Sequence, residues 1–251
     1  VTDTEGSLAE PSINTDWMHQ LKSITLHVEG DPPPMWPDGA SEEYRAARRK
    51  LAEAEMALRD QVEAVAALRR ALPAGAVLPD FVLTGDGSVR LSELFGEHRE
   101  LVVYHLMFHP DDAEPCPMCS MWVDGFHGVA KHLTQRAAVA VIAKAPIDKL
   151  REYGERRGWQ GIRLVSAHDS DLPRVLGVEG SRGGQFPAVS VFARDDDEGI
   201  RHVYTQSADF GDGSGRGIDL LSPVWQVWDL LPRGREDWHP HNSYAVSPSR
   251  A

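Results

Sequence analysis

Cysteine is scarce in this chain: 251 residues contain only Cys116 and Cys119. Small secreted domains use many cysteines to staple an inadequate core, and this chain is large enough to need none. A bridge between residues three apart would close too small a loop to restrain the unfolded chain much. The pair therefore points to chemistry and to a reducing cytoplasm. Long apolar runs are also missing. The densest, residues 101–104, stops at His105, far short of the ~18 residues that span a bilayer, so no membrane association is expected. Residues 1–10 lack the basic start and apolar centre of a signal peptide. Positive charge is in deficit, with 26 basic against 38 acidic residues and a net charge of −12. Such a chain repels a phosphate backbone unless a local patch prevails. The densest patch, Arg45, Arg48, Arg49 and Lys50, is followed on the same helix by Glu53, Glu55, Asp60 and Glu63. It reads as a solvated helix face, and nucleic acid is not an expected partner.

What is present describes an α/β protein. Residues 1–40 form an arm interrupted by Pro32-Pro33-Pro34 and Pro37, with Trp17, Trp36 and the apolar residues of 21–28 suggesting partial docking. Ser41 caps a helix with Glu42 and Glu43 in its first turn. Leu51, Leu58, Val62, Val65, Leu68 and Leu72 then form an amphipathic stripe that Pro73 and Gly75 end. The stripe is expected to pack on its own domain, with a homodimer through residues 41–72 as the alternative.

From residue 77 the hydrophobic period changes. A hairpin over 81–91 turns at Gly85-Asp86-Gly87. Strands are expected at 101–108, 137–143, 162–166, 188–193 and 200–205, the last two joined by the acidic turn at 195–199. Helices are expected at 121–133, 146–157, 172–176 and 220–231, and 92–95 makes a short helical turn. The resulting organisation is an arm at 1–40, a long helix at 41–75, an α/β domain at 76–232 and an irregular tail at 233–251.

The cysteine pair falls between a strand and a helix, where an open α/β sheet places its ligands. At a helix N-terminus the unpaired amides and the dipole favour thiolate at Cys116, and Pro117 suits the first helical position. Cys119, one turn on, can reach back as the resolving thiol. Pro187, before a later strand, is expected to take a cis bond and hold an extended thiol substrate, against the plainer reading of a strand-start proline.

Leu101 to Phe108, then Cys116-Pro-Met-Cys-Ser120, Asp124-Gly-Phe126 and His132-Leu133 resemble the thioredoxin-like domain-of-unknown-function 899 family. The likeness continues through Ala145-Pro146, Gly158-Trp159, Phe186-Pro187 with the strand after it, Thr205, Leu230 to Gly234, and Trp238 with His241 to Tyr244. It covers about residues 41–245 and implies a thioredoxin-like mixed sheet with flanking helices and a CxxC at the usual redox position. Two departures narrow the expectation. Seven residues, His109 to Pro115, separate the strand from Cys116, which argues against a generic thioredoxin partner surface. Pro110 is present but no Thr precedes Cys116 in this loop, which argues against a peroxidase of the peroxiredoxin type.

The leading expectation is a thiol–disulfide oxidoreductase acting on a small-molecule thiol or one dedicated redox partner protein. Cys116 would be nucleophile, Cys119 resolving thiol, Pro187 the positioning residue, and His105 or His109 a proton shuttle. No cofactor is required in that reading. The alternative is a Cu(I)-binding protein or copper-dependent oxidase using Cys116, Cys119, His105 and His109, with Met107, Met118 and Met121 as further soft ligands. Against it, methionines at such positions are more often core filler, and His105, five residues into a strand of alternating side chains, also reads as a buried, hydrogen-bonded core histidine. A non-catalytic binding module is the third reading. In the tail, His241 or Tyr244 would act as base, ligand or lid if the segment folds back over the site; Asp124 and Asp219 read as ordinary exposed carboxylates.

Overall fold

The structure, a computed structural model, describes residues 35–181, 183–195 and 199–244. The expected docking of Trp17 and of residues 21–28 lies outside them. The chain divides into two compact units, Val1–Val65 and Ala66–Ala251, and the long first helix α1, Glu42–Arg70, runs across that division.

Helix α1 begins as its residues dictate. The Ser41 hydroxyl accepts the Tyr44 amide at 3.1 Å, Glu42 and Glu43 sit in the first turn, and Arg69 and Arg70 close the last, each charge matching its end of the dipole. Trp36 lies under the guanidinium groups of Arg45 and Arg49, at 5.9 and 5.4 Å from the ring centroid. The stripe does not pack as expected: no residue of α1 is buried, and Leu51, Leu58, Val62 and Leu68 are 41–69% exposed.

In the second unit the expected strands appear with shifted ends and one addition, β1. β1 is Val77–Leu78, β2 Val82–Gly85, β3 Gly87–Arg90, β4 Glu100–Leu106, β5 Ala138–Ala143, β6 Arg163–Ser166, β7 Ala188–Asp195 and β8 Gly199–Ser207. They form one sheet in the order β1-β8-β7-β4-β5-β6-β2-β3. The centre, β4-β5-β6, is parallel, and β7 and β8 continue it antiparallel. The β7–β8 hairpin is covered on its outer side by β1, which pairs antiparallel with β8. Gly75 permits that approach, because a Cβ there would lie 1.9 Å from the His202 carbonyl oxygen. At the other end β2 joins β6 antiparallel and carries β3 with it.

Helices α2, Pro117–Leu133, and α3, Ile147–Arg157, connect the parallel strands. Gly158 ends α3 in the left-handed conformation at φ 77°, where a side chain would be strained. Between β6 and β7 lies only the short α4, Leu172–Val175. The expected helix over 220–231 is reduced to α5, Pro223–Trp228, after a 3-10 turn at Asp219–Leu221. Pro223 explains the break: Ser222 before it is extended, at φ −107° and ψ 119°.

Alternation along β4 sorts its side chains onto two cores. Tyr104, Leu106, Cys119, Met121, Trp122, Leu150, Tyr153 and Trp159 form the core on the α2–α3 face. Leu101, Val103, Leu91, Phe95, Leu172 and Phe192 form the other. Each fully buried Leu or Phe contributes about 1.5–3 kcal/mol by leaving water, so both faces are firmly held. Among the described residues no helix is long and apolar enough to cross a membrane.

Candidate functional site

The cysteine pair sits where strand order and helix start meet. β4 delivers the chain to Met107, whose carbonyl accepts the Cys116 amide at 3.0 Å. Cys116 is then the N-cap of α2 with Pro117 inside its first turn, and the Ser120 amide returns to the Cys116 carbonyl at 3.0 Å. Helix α2 thus begins at the cysteines, four residues earlier than the apolar periodicity suggests. Both thiols are free; Cys116 is partly exposed and Cys119 buried.

Burial and hydrogen bonding separate the two sulfurs. The Cys119 thiol donates to the Cys116 sulfur, and with the amides of Cys119 and Met118 this lowers the Cys116 pKa to about 6, against burial, which raises it. Cys119 is driven the other way, by its hydrogen bond to Cys116, by burial and by the neighbouring thiolate charge. Two groups oppose that rise: the Tyr104 hydroxyl and the Met107 amide, both directed at the Cys119 sulfur. The Tyr104 hydroxyl is buried and falls outside good hydrogen-bond geometry with any partner. Burial first, and then the Cys119 and Cys116 sulfurs, hold the Tyr104 phenol protonated.

The histidines expected here are elsewhere. His105 follows Tyr104 on β4 and so points to the opposite face, where its Nε2 meets the Ser190 hydroxyl at 2.9 Å. That contact continues to Thr205 at 2.8 Å and to His202 Nε2 at 2.7 Å. Burial lowers the His105 pKa to about 3 and keeps it neutral. His109 is in the approach loop, where its Nδ1 accepts the Asp111 amide at 3.2 Å and its own amide donates to Asp112. Neither imidazole is joined to the cysteines as a proton shuttle. The same placement dismantles the expected copper ligand set of Cys116, Cys119, His105 and His109. Met121 is buried in the core, and the described residues contain no group of three or more His, Cys, Asp and Glu able to hold a metal ion.

Pro187 comes to the right end of the sheet without the expected bond. His105 pairs with Ala188, so Pro187 is next in register, beside the end of β4 that leads to the cysteines. There are no cis peptide bonds among the described residues, and the Phe186–Pro187 bond is trans. The Pro187 carbonyl is engaged by the Ala208 amide at 3.0 Å and the Ser207 hydroxyl at 3.3 Å. Pro187 is thus the strand-start proline of the plainer reading.

The tail does fold back, through a different residue than expected. Asn242 donates to the Pro115 carbonyl at 2.8 Å, directly before Cys116. Its side-chain oxygen accepts the Tyr153 hydroxyl at 2.9 Å, and its carbonyl accepts Arg157 Nη1 at 2.9 Å. The Tyr153 oxygen in turn accepts the Ser120 hydroxyl at 2.9 Å, and the Ser120 amide holds the Cys116 carbonyl at 3.0 Å. A closed ring of hydrogen bonds therefore runs from the tail through α3 and α2 to both sides of the cysteine motif. Asp124, half-exposed, anchors it by pairing with Arg157 and accepting the Trp159 indole at 2.8 Å. His241 and Tyr244 pair instead with each other, the His241 amide donating to the Tyr244 hydroxyl at 3.2 Å. Asp219 is buried, not exposed, and bridges Arg216 and Arg235 at 2.8 and 2.6 Å. No role is expected for Asn242, Tyr153 or Ser120 from the sequence, although Ser120 and Asn242 lie within the motifs that carry the family resemblance.

A parallel β-α-β core continued by an antiparallel pair, with a CxxC capping the helix after the central strand, defines a thioredoxin-like protein. The chain belongs to the family described as "Bacterial protein of unknown function (DUF899)", which matches residues 35–247. Among solved structures, reduced Prx3 from Vibrio vulnificus is similar at 17% identity and a TM-score of 0.42, over 60% of this chain and 96% of that one. Peroxiredoxin Q from Xanthomonas campestris is similar at 20% identity and 0.43, over 60% and 93%. AhpC from Enterococcus faecalis is similar at 16% identity and 0.42, over 59% and 87%. No curated protein matches the chain in sequence.

Proposed function

We propose that the protein is a thiol–disulfide oxidoreductase whose working pair is Cys116 and Cys119. The observation that carries this reading is the split between the two sulfurs: one partly exposed and inclined to thiolate near neutrality, the other buried and held as thiol. A nucleophile and its resolving partner need that difference.

The chemistry follows from the geometry. The Cys116 thiolate attacks a substrate disulfide, forming a mixed disulfide and expelling one substrate thiolate. That step removes the negative charge and the hydrogen-bond acceptor that hold the Cys119 proton in place. The Cys119 pKa then falls, leaving burial against the Tyr104 hydroxyl and the Met107 amide. Cys119 loses its proton to the departing thiolate and attacks the Cys116 sulfur. The second substrate thiol leaves, and two electrons have passed from the pair to the substrate. A small-molecule thiol or a dedicated partner protein returns them by the reverse exchange. The Asn242 ring fixes Pro115 and Cys116 during these steps, and the approach loop favours a small disulfide or one dedicated partner over broad protein reduction.

The test counts free thiols while the purified protein is cycled between dithiothreitol and glutathione disulfide, with Cys116→Ser and Cys119→Ser alongside. The expected result is a change of two thiols per chain, a mixed disulfide trapped in Cys119→Ser, and no reaction in Cys116→Ser. Inert thiols with an ordinary pKa would return the protein to the binding-module reading.

A further inference from the structure

Helix α1 is 29 residues long, about 43 Å at 1.5 Å per residue. Isolated helices are marginal in water, and most helices draw their stability from an apolar face packed on something. This one has the face with little burial: Tyr44, Leu51, Leu58 and Leu68 are 51–69% exposed, and Val65 is half-buried.

The spacing of that face is informative. Tyr44, Leu51, Leu58, Val65 and Leu72 recur at every seventh residue, a period of 3.5 rather than the 3.6 of a helix lying straight on a globular surface. Taking these as position a places Ala47, Ala54, Gln61 and Leu68 at d. The outer positions b, c and f are largely charged, and Trp36 stacks there, on Arg45 at b and Arg49 at f. Trp36 thus lies on the outer face and not on the seam.

Charges beside the seam choose the occupant and its direction. Position g holds Glu43 and Lys50, and position e holds Arg48 and Glu55. In a parallel two-stranded coil, each g residue meets the e residue five positions on in the partner helix. Glu43 then faces Arg48 and Lys50 faces Glu55, so both pairs are complementary in both copies. Antiparallel pairing about Leu58 would instead bring Arg48 toward Arg69 of the other copy. Gln61 at d would meet its own copy across a parallel two-fold axis and satisfy its amide there, the way a core amide fixes register.

We infer that the α1 face along Tyr44, Leu51, Leu58 and Val65 is the seam of a parallel, in-register homodimer of this chain. Each copy presents its redox site independently, so the inference stands apart from the proposed activity.

Sedimentation equilibrium on the full chain tests it. The wild type is expected at twice the 27.7 kDa chain mass. The double variant Leu51→Glu with Leu58→Glu is expected at the monomer mass, with Cys116 alkylation unchanged as evidence that the fold is intact. In a Cys116→Ser, Cys119→Ser background, Ala54→Cys should form a disulfide-linked dimer on oxidation and Arg49→Cys should not. A dimer that survives the double variant, or one in which Cys at position 54 fails to cross-link, overturns the inference. A monomeric wild type overturns it as well. In that case a Leu58→Cys thiol shielded from alkylation would assign the seam to the first 34 residues of the same chain, and an open one to a different protein.

Discussion

The two faces of β4 carry neighbouring residues into opposite chemistry. Tyr104 turns to the α2 face and brings an unsatisfied hydroxyl to the Cys119 sulfur. His105, one residue on, turns to the other face and enters a satisfied chain through Ser190 and Thr205 to His202. One face leaves a polar group waiting for charge to develop nearby, and the other has every contact already made. A buried group with a complete set of partners stabilises the fold; one poised beside a nucleophile is available to a reaction. The histidine, which looks more reactive in the sequence, belongs to the structural face.

The largest effect that would break this contrast is on the cysteine face. Cys116→Ser should abolish disulfide exchange while the thermal midpoint shifts little, since Cys116 is partly exposed; exchange kinetics and a melting curve on one sample measure both. On the other face the effect is on stability and depends on pH. His105 has a folded pKa lowered to about 3, so the unfolded chain takes up a proton that the folded chain refuses. The stability it confers is full above its unfolded value of about 6.5 and is lost as pH falls toward 3, by about 1.4 kcal/mol per unit. His105→Gln should flatten that window in urea unfolding while leaving the Cys116 titration unchanged. A shifted Cys116 titration would mean the two faces communicate.

A smaller effect belongs to the tail. Asn242→Ala removes the bond to Pro115 and the acceptor for Tyr153, a loss of about 1–3 kcal/mol. Cys116 alkylation should become several-fold faster as the motif loosens, and an unchanged rate would show that the ring does not restrain the site. The smallest change expected is in Tyr104→Phe. Its hydroxyl has no good partner to lose, so chemical denaturation should move by less than about 1 kcal/mol. Resolution of a mixed disulfide by Cys119 should slow, because the resolving thiolate loses a donor.

The sequence made some of these elements readable and hid others for definite reasons. Strands β4, β5 and β7 are dense apolar runs bounded by breakers, and the cysteine motif carries its own helix start in Pro117. The end of the 220–231 segment was obscured because its apolar spacing continues past Pro223, while the backbone before that proline is extended. Alternation along β4 is visible in the sequence and places His105 opposite Tyr104, which supports the core reading of that histidine over the site reading. Asn242 is 126 residues from Cys116, and no local pattern announces a contact closed by a tail crossing two helices. The bond before Pro187 is trans, and hydrophobic periodicity carries no signal of a proline's isomer.

The account rests on the asymmetry of the two thiols, and the pH dependence of Cys116 alkylation in the reduced protein reads it most directly. The rate should rise tenfold per pH unit at low pH and level off above a midpoint near 6. In Cys119→Ala the midpoint should move up toward the ordinary thiol value of about 8.5, because the hydrogen bond that lowers it most is gone. A wild-type midpoint already near that ordinary value, unmoved by Cys119→Ala, would contradict the account.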